Sequence, residues 1–457
     1  MDNINRIKEQ INFCIRSELW AKLPELLDQL HPADIADVIR HSSDDAQIKL
    51  FDLLSDETKA DVYIELDDTT AEDILEDLTV EEISDIIEEM APDDAADLLG
   101  DLEKERSEEV LDLMPPEESE EVRELLSHDK YTAGGIMTTD LIALPGTKTA
   151  AEAIEHVGSL DLNEPFYLIY VIDVANHLIG YVQLWQLLRT ENRHKTLAQL
   201  AETALFTAQT DTDQEEVARI MSKYDLTSLP VVDAENRLVG RVTVDDMVDV
   251  IEEEASEDIF KLAGSDNTEL KDPSPFASCQ ARLPWLFITL FSGFVTSMIL
   301  KGFMHSISMM EVLALSFFVP IVMGMGGNTG IQSSTLIIRG LALGTFSHKT
   351  LRRMLLREMS IGMMMGIICG TIIGLWARFV ISTTTAFHPV FLAFCVGAAL
   401  FSAMTFAAVF GAAVPLVLNH FKIDPAVASG PFVSASNDIT ALLIYYGVTF
   451  ALISPLI

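Results

Sequence analysis

After residue 282 the chain runs through five long apolar stretches, near residues 283–304, 312–337, 358–380, 390–418 and 426–456. At 1.5 Å of helix per residue, each can cross a hydrocarbon core about 30 Å thick. Charge divides the chain at nearly the same place. Residues 1–278 hold 66 Asp and Glu against 21 Lys and Arg, net −45, whereas residues 279–457 hold 4 against 9, net +5. An acidic, water-facing half is therefore joined to a nearly uncharged, Gly- and Met-rich membrane half. The formal charge of −40 argues against nucleic acid, whose phosphates need basic partners, and makes cations the natural counter-species.

Orientation follows from the ends and the loops. The opening MDNINRIKEQINF lacks the apolar core of a secretory leader, so the acidic half is expected in the cytosol. Arg339, Lys349, Arg352, Arg353 and Arg357 between the second and third stretches place that connection inside as well. Five crossings then put the C-terminus outside a cytoplasmic membrane, as a multi-pass protein in contact with lipid. Cys14, Cys279, Cys369 and Cys395 lack ligand-like spacing, and the ten His show no metal-ligand pairs. No Ser-His-Asp or Cys-His arrangement emerges, so no enzyme is expected.

Cut every twelve residues from His31, the chain to Leu126 resolves into eight blocks whose eighth positions are Val38, Leu50, Val62, Ile74, Ile86, Leu98, Val110 and Val122. The first seven blocks place an apolar residue next as well. Ser, Thr, Asp or Pro at most block starts reads as an N-cap or first-turn residue, which predicts one short helix and a tight turn per block. Stacked, such units form a helical superhelix.

Between about 131 and 252 two segments look like copies. YLIYVIDVANHLIGYVQLWQLL from Tyr167 aligns with TSLPVVDAENRLVGRVTVDDMVDVI from Thr227, placing Asp173 and Asp233 sixty residues apart. Each predicts an apolar strand, an Asp turn, a second strand after Gly180 or Gly240, and a helix. The duplicated unit resembles a pair of CBS domains, modules that commonly sense small ligands or ions. Thr243-Val244-Asp245-Asp246 in the second copy is like the ribose-binding Thr-x-x-Asp of nucleotide-binding members, which implies ATP at that copy. The first copy has Gln183 and Gln186 there.

An acid-dense helix follows, from about Asp245 to Leu262, before a breaker segment with Gly264, Pro273 and Pro275. Asp245, Asp249, Glu253 and Glu257 recur every four residues, and Asp246, Glu254 and Asp258 enrich adjacent faces. Like charges at that spacing repel by a few tenths of about a kcal/mol per pair, more against another acidic surface. Asp93 and Asp97 in the repeat offer one such surface, Asp213 and Asp225 in the second copy another. Divalent cations would neutralise these contacts and draw the domains together. A charge run can equally be a solvated face, and for the outer acids of the repeat that reading prevails.

After residue 278 the only acids are Glu311, Glu358, Asp424 and Asp438. Glu311 and Glu358 fall near span ends, where terminal solvation is expected. Asp424-Pro425 reads either as an N-cap pair or as a pore contact. Asp438 should lie some 20 Å along the last helix, where an ionisable group marks a functional site. Gly430, Pro431, Ser434 and Asn437 lie within two turns of it, and a loosened backbone there can free carbonyls for an aqueous path. The four-residue ladder Gly362, Gly366, Gly370, Gly374 predicts close helix packing.

Pro320 with Gly324-Met325-Gly326-Gly327-Asn328-Thr329-Gly330-Ile331-Gln332, together with the stretch from Asp424-Pro425-Ala426 to Asp438, resembles the MgtE family of magnesium channels. The likeness extends over nearly the whole chain. It implies a multidomain membrane protein: an acidic helical-repeat N domain at 1–130, tandem α/β CBS domains at 131–195 and 196–244, a connecting acidic helix and linker at 245–278, and an all-α pore domain of five helices at 279–457. It implies a homodimeric, Mg²⁺-selective channel whose cytosolic domains bind Mg²⁺ and close the pore. Asp438 would be the pore carboxylate, with Asn437, Ser434, Gly430 and Asp424 near it. Asp93, Asp97, Asp213, Asp225, Asp246, Asp249, Glu254, Glu257 and Asp258 would hold regulatory Mg²⁺. The rivals are a proton- or ion-coupled divalent cation transporter, and a membrane-anchored nucleotide-sensing CBS scaffold.

Overall fold

A computed structural model describes residues 2–160, 166–203, 206–266, 269, 274–304, 314–342, 348–381, 388–426 and 430–456, in two units, 1–253 and 254–457. After α1 (Asp2–Arg16) and α2 (Pro24–Leu27), helices begin every twelve residues: α3 (Pro32–Arg40), α4 (Asp44–Asp52), α5 (Asp56–Ile64), α6 (Asp68–Asp77), α7 (Val80–Ile87), α8 (Pro92–Gly100), α9 (Lys104–Leu111) and α10 (Pro116–Leu125). The first residue of each block is the N-cap. Ser55, Asp67 and Thr79 accept from the backbone N–H three residues on, and Thr79 with Glu82 closes a capping box. Every eighth position is buried, none more than 5% exposed. Where the last block lacks its second apolar residue, Arg123 instead donates to Glu108 and Asp112. Turns this short stack alternate helices: α3 on α5, α5 on α7, α7 on α9, α4 on α6 and α8 on α10.

The two copies are twin three-stranded sheets. In the first, β1 (Ala143–Pro145) runs parallel to β2 (Leu168–Ile172), which pairs antiparallel with β3 (Leu178–Gln183). In the second, β4 (Ala208–Gln209), β5 (Ser228–Val232) and β6 (Leu238–Thr243) repeat that order. Short helices flank them: α11 (Ala150–Val157), α12 (Leu184–Leu187), α13 (Leu197–Leu200) and α14 (Gln214–Tyr224). Asp173 accepts from the N–H groups of Ala175 and His177, and Asp233 from those of Glu235 and Arg237. Asn176 and Asn236 complete each turn in the left-handed region, which Asn tolerates.

Gly180 and Gly240 do not precede the second strand but lie inside it, because another segment crosses there. A Cβ on Gly240 would sit 2.6 Å from Met137 Sδ and 2.9 Å from the Thr138 carbonyl; one on Gly180 would sit 2.6 Å from the Glu202 carbonyl. Thr138 bridges to Arg241 and Tyr181 to Glu202. Ala133 and Met137 are buried with Ala208 and Leu229, whereas Leu197 is buried with Leu144 and Val171. Each sheet thus borrows a strap from the other's stretch of sequence, so residues 196–202 pack with the first copy and 132–138 with the second, across the expected domain limits.

Helix α15 (Val244–Ala263) leads out of the first unit into the second. Five helices there are long and apolar enough to cross a membrane. They are α16 (Pro275–Met304), α17 (Val319–Ala342), α18 (His348–Val380), α19 (Pro389–His420) and α20 (Pro431–Ile453). The first begins eight residues before the expected 283, carrying Pro284 within it. Helix α19 packs on α17, α18 and α20, and α20 also packs on α16. The glycine ladder sets the α18–α19 contact: Cβ atoms at 362, 366, 370 and 374 would lie 2.6–3.2 Å from atoms of residues 404–408, 401, 397 and 393 in turn. That reversed order is two antiparallel helices touching backbone to backbone. At the α17–α19 crossing, a Cβ on Gly411 would lie 2.3 Å from the Gly330 carbonyl oxygen.

Candidate functional site

The Gly-rich motif and the membrane carboxylate, more than a hundred residues apart in sequence, come together. Helix α20 starts at Pro431 rather than near Asp424, so Asp438 is about 10 Å, two turns, from its start rather than 20 Å. Asp438 and Ser434 occupy one face. A Cβ on Gly327 would lie 3.3 Å from Asp438 Oδ1 and 3.2 Å from Ser434 Oγ. Lack of a side chain at 327 is what lets two oxygens from consecutive turns of α20 approach α17. Both residues are half-buried.

Along α17, Asn328, Gln332, Thr335 and Arg339 recur at helical spacing and are all exposed. Thr329, Gly330, Ser333 and Ser334 are buried. A polar stripe has no partner in hydrocarbon, so this face requires water or protein.

The other predicted residues near Asp438 are placed differently. Asn437 is fully buried beside Gly330, and neither side-chain atom has a hydrogen-bond partner. Gly430 is the N-cap of α20, where a Cβ would collide with the Leu262 carbonyl at 2.1 Å. Asp424 accepts from the Ala426 N–H at 2.8 Å and pairs with Lys261 at 2.8 Å. Glu358, expected to be solvated at a span end, is 3% exposed and accepts from Ser333 Oγ at 2.8 Å. Position along the helix hid this, because only the neighbouring helix decides which side of a span end is wet. Glu311 lies outside the described residues.

Of the acids expected to be regulatory, Asp97 has the largest shift. Its carboxylate reaches water from a recess, where surrounding protein first, then Asp101, Asp246 and Glu253, push its pKa up to about 6 against the opposing pull of Lys130. Burial also raises Asp246 and Asp249, each helped by Asp245. Asp246 accepts from the Thr243 hydroxyl and from its N–H at 3.3 Å, so it serves the start of α15. Asp258 is raised by burial and by Asp424, while Glu257 pairs with Lys261. Asp93 is half-buried on α8, one turn before Asp97. Glu254 is half-buried on α15. Asp213 and Asp225 do not share a surface: Asp213 caps the start of α14 and Asp225 ends it in the left-handed region. Among the described residues no three His, Cys, Asp or Glu gather closely enough to hold a metal.

A cavity of about 210 Å³ opens between the two sheets, lined among others by Asp140, Tyr167, Tyr170, Ser228 and Arg241. Tyr170 and Ser228 share a 2.8 Å hydrogen bond, and Arg241 Nε donates to the Asp140 carbonyl at 2.6 Å. Thr243 and Asp246 lie outside that lining.

Comparison with known proteins matches these parts one by one. The MgtE divalent cation transporter family model matches residues 319–448, the MgtE intracellular N domain residues 30–131, and the CBS domain residues 197–253. The magnesium transporter MgtE of Thermus thermophilus is 40% identical over 324 residues, 70% of each chain. This chain belongs to the MgtE family of magnesium transporters. The MgtE of Bacillus subtilis is 36% identical over 326 residues, 71% of this chain and 70% of that one. A crystal structure of the cytosolic domain of the Mg²⁺ channel MgtE in complex with ATP superposes with a TM-score of 0.50 at 33% identity, covering 53% of this chain and 99% of that one. The MgtE assignment accounts for the repeat, the CBS domains and the five apolar helices together, and it names a transporter class rather than an enzyme class.

Proposed function

We propose that two copies of this chain form a Mg²⁺-selective channel in the cytoplasmic membrane, with the acidic domains in the cytosol and the C-terminus outside. The observation that carries this reading is the convergence of Ser434 and Asp438 on Gly327, beside a helix with an exposed polar stripe. Mg²⁺ gives up its waters reluctantly. Two such faces across a twofold axis would accept a hydrated ion and hold its waters with carboxylate and hydroxyl oxygens. Asp438 supplies the charge and Ser434 a neutral oxygen one turn away. Asn437 and Gly430 act through packing.

Cytosolic Mg²⁺ would close the pore by binding at Asp93, Asp97, Asp246, Asp249 and Glu254. Ionised acids around Asp97 repel one another, and a divalent cation relieves that repulsion while drawing α8 and α15 together. Asp213 and Asp225, at opposite ends of one helix, would each need acids from a second copy to complete a site. ATP would occupy the cavity between the sheets, with Tyr167 and Tyr170 offering aromatic faces and Arg241 a positive charge. This reading rests on the ATP complex of the related cytosolic domain.

Reconstituted flux tests the pore. Asp438→Ala should lower Mg²⁺ uptake into liposomes at least about tenfold, and uptake at the unaltered rate would remove Asp438 from the permeation path. Neutralising Asp246, Asp249 and Glu254 together should leave flux intact and weaken its inhibition by lumenal Mg²⁺ on the cytosolic face.

A further inference from the structure

A groove of about 430 Å³ runs between α18 and α19, away from Asp438 and Ser434. Its floor is bare backbone: Gly366 and Gly370 are buried there, with Gly374 and Gly397 beside them. Its walls are apolar and exposed, Ile367 and Leu375 from α18 and Phe394 from α19. The glycines that let the two helices touch thus also remove the side chains that would fill the space above the contact. Among the lining residues the one charged side chain is Arg378, one turn beyond Gly374, at the end that also holds Val390 from the first turn of α19. Arg378 is exposed and has no ion-pair partner among the described residues. The start of a 32-residue helix adds the positive end of its dipole. From Arg378 back to Gly366 is twelve residues, about 18 Å of helix, against about 15 Å for half of a hydrocarbon core. The groove therefore has the length to run from headgroup depth to the middle of a bilayer.

We propose that this groove binds one anionic phospholipid, with an acyl chain along the glycine floor and the phosphate on Arg378. A guanidinium offers paired N–H donors to phosphate oxygens, and an unpaired positive charge favours an anionic head over a zwitterionic one. A free anion would use the arginine and leave the apolar groove unfilled, whereas a lipid anchored by its phosphate satisfies both. In the orientation proposed above Arg378 lies at the outward end of its span, against the usual inward bias of basic residues, so orientation does not account for it. That orientation places the lipid in the outer leaflet. The site itself is independent of the orientation and of the pore reading.

Tryptophan quenching in the full chain tests the site. In bilayers mixing phosphatidylglycerol with phosphatidylcholine, brominated chains on one lipid or the other report which of them touches a given tryptophan. Phe394→Trp, in a chain whose four native tryptophans are replaced by Phe, reads the groove. Trp376, exposed on α18 but outside the groove lining, reads the ordinary lipid surface as the one tryptophan of a second chain. Phosphatidylglycerol should be preferred about fivefold at position 394 and about equally with phosphatidylcholine at Trp376. Arg378→Gln should bring the preference at 394 to that at Trp376, and Arg378→Lys should keep most of it. Ala398→Phe, which fills the groove and leaves the charge in place, should abolish the preference as well. An equal preference at both tryptophans would show general attraction to the surface and overturn the proposal, as would a preference that survives Arg378→Gln. If neither lipid quenches at 394 and Leu375→Cys cross-links two copies of the chain, the groove belongs to a second copy and the lipid site is overturned.

Discussion

Asp97, proposed above to bind metal, should register protons as well. Its pKa of about 6 lies above the ordinary value near 4, so the folded chain binds its proton more tightly than the unfolded chain does. The ionised form therefore penalises folding fully above pH 6. The penalty is relieved as pH falls through 6 and is gone below about 4. In metal-free buffer, melting curves of wild type and Asp97→Asn should separate at pH 7.5, with the variant melting higher, and converge only below about pH 4. A gap independent of pH would show that Asp97 is not ionised where its neighbours are. Residue-scale placement was the least legible part of the sequence. Asp438 could be singled out because so few acids follow residue 278, but the burial of Glu358 against Ser333 depends on a helix packed from elsewhere, and Asp213 and Asp225 are held apart by the length of α14 itself.

Elements were far easier to read, because a twelve-residue period fixes both the cap and the buried ridge of every helix in the repeat. Ile86 is 1% exposed at the eighth position of its block. Ile86→Ala should destabilise the repeat by about 2–4 kcal/mol, measured by denaturant unfolding. Glu81→Ala, on the outer face, should change little. The glycine ladder was equally legible, since four glycines at four-residue steps in an apolar helix leave few roles besides close approach. Gly370→Val puts its Cβ 2.6 Å from the Gly397 carbonyl, a backbone atom that cannot swing aside. That variant should lose about 3 kcal/mol and aggregate at lower temperature in detergent. The true start of α20 was hidden, because Asp424-Pro425 looks like a helix start but closes only a turn onto Ala426.

At the scale of the molecule, the division into an acidic half and an apolar half was written in the charge count, and the family comparison agrees with it. What separates a channel from a coupled transporter is not written there. The passage proposed to be lined by Ser434 and Asp438 would need no proton counterflow, so on that proposal Mg²⁺ uptake should follow its own electrochemical gradient whether or not a pH gradient opposes it. Uptake that collapses when the pH gradient is dissipated at fixed membrane potential would favour coupled exchange at Asp438.

The straps exchanged between the two sheets also limit how this architecture can be taken apart. A clone that ends at residue 195 would carry a sheet whose edge had lost Glu202 and whose core had lost Leu197, while its own residues 132–138 would dangle without the strand they belong beside. Anyone grafting this paired module onto another protein would have to move both halves as a single cassette, with its cut points before Thr132 and after Ile251, since Met247 and Val250 are buried in the second copy's core.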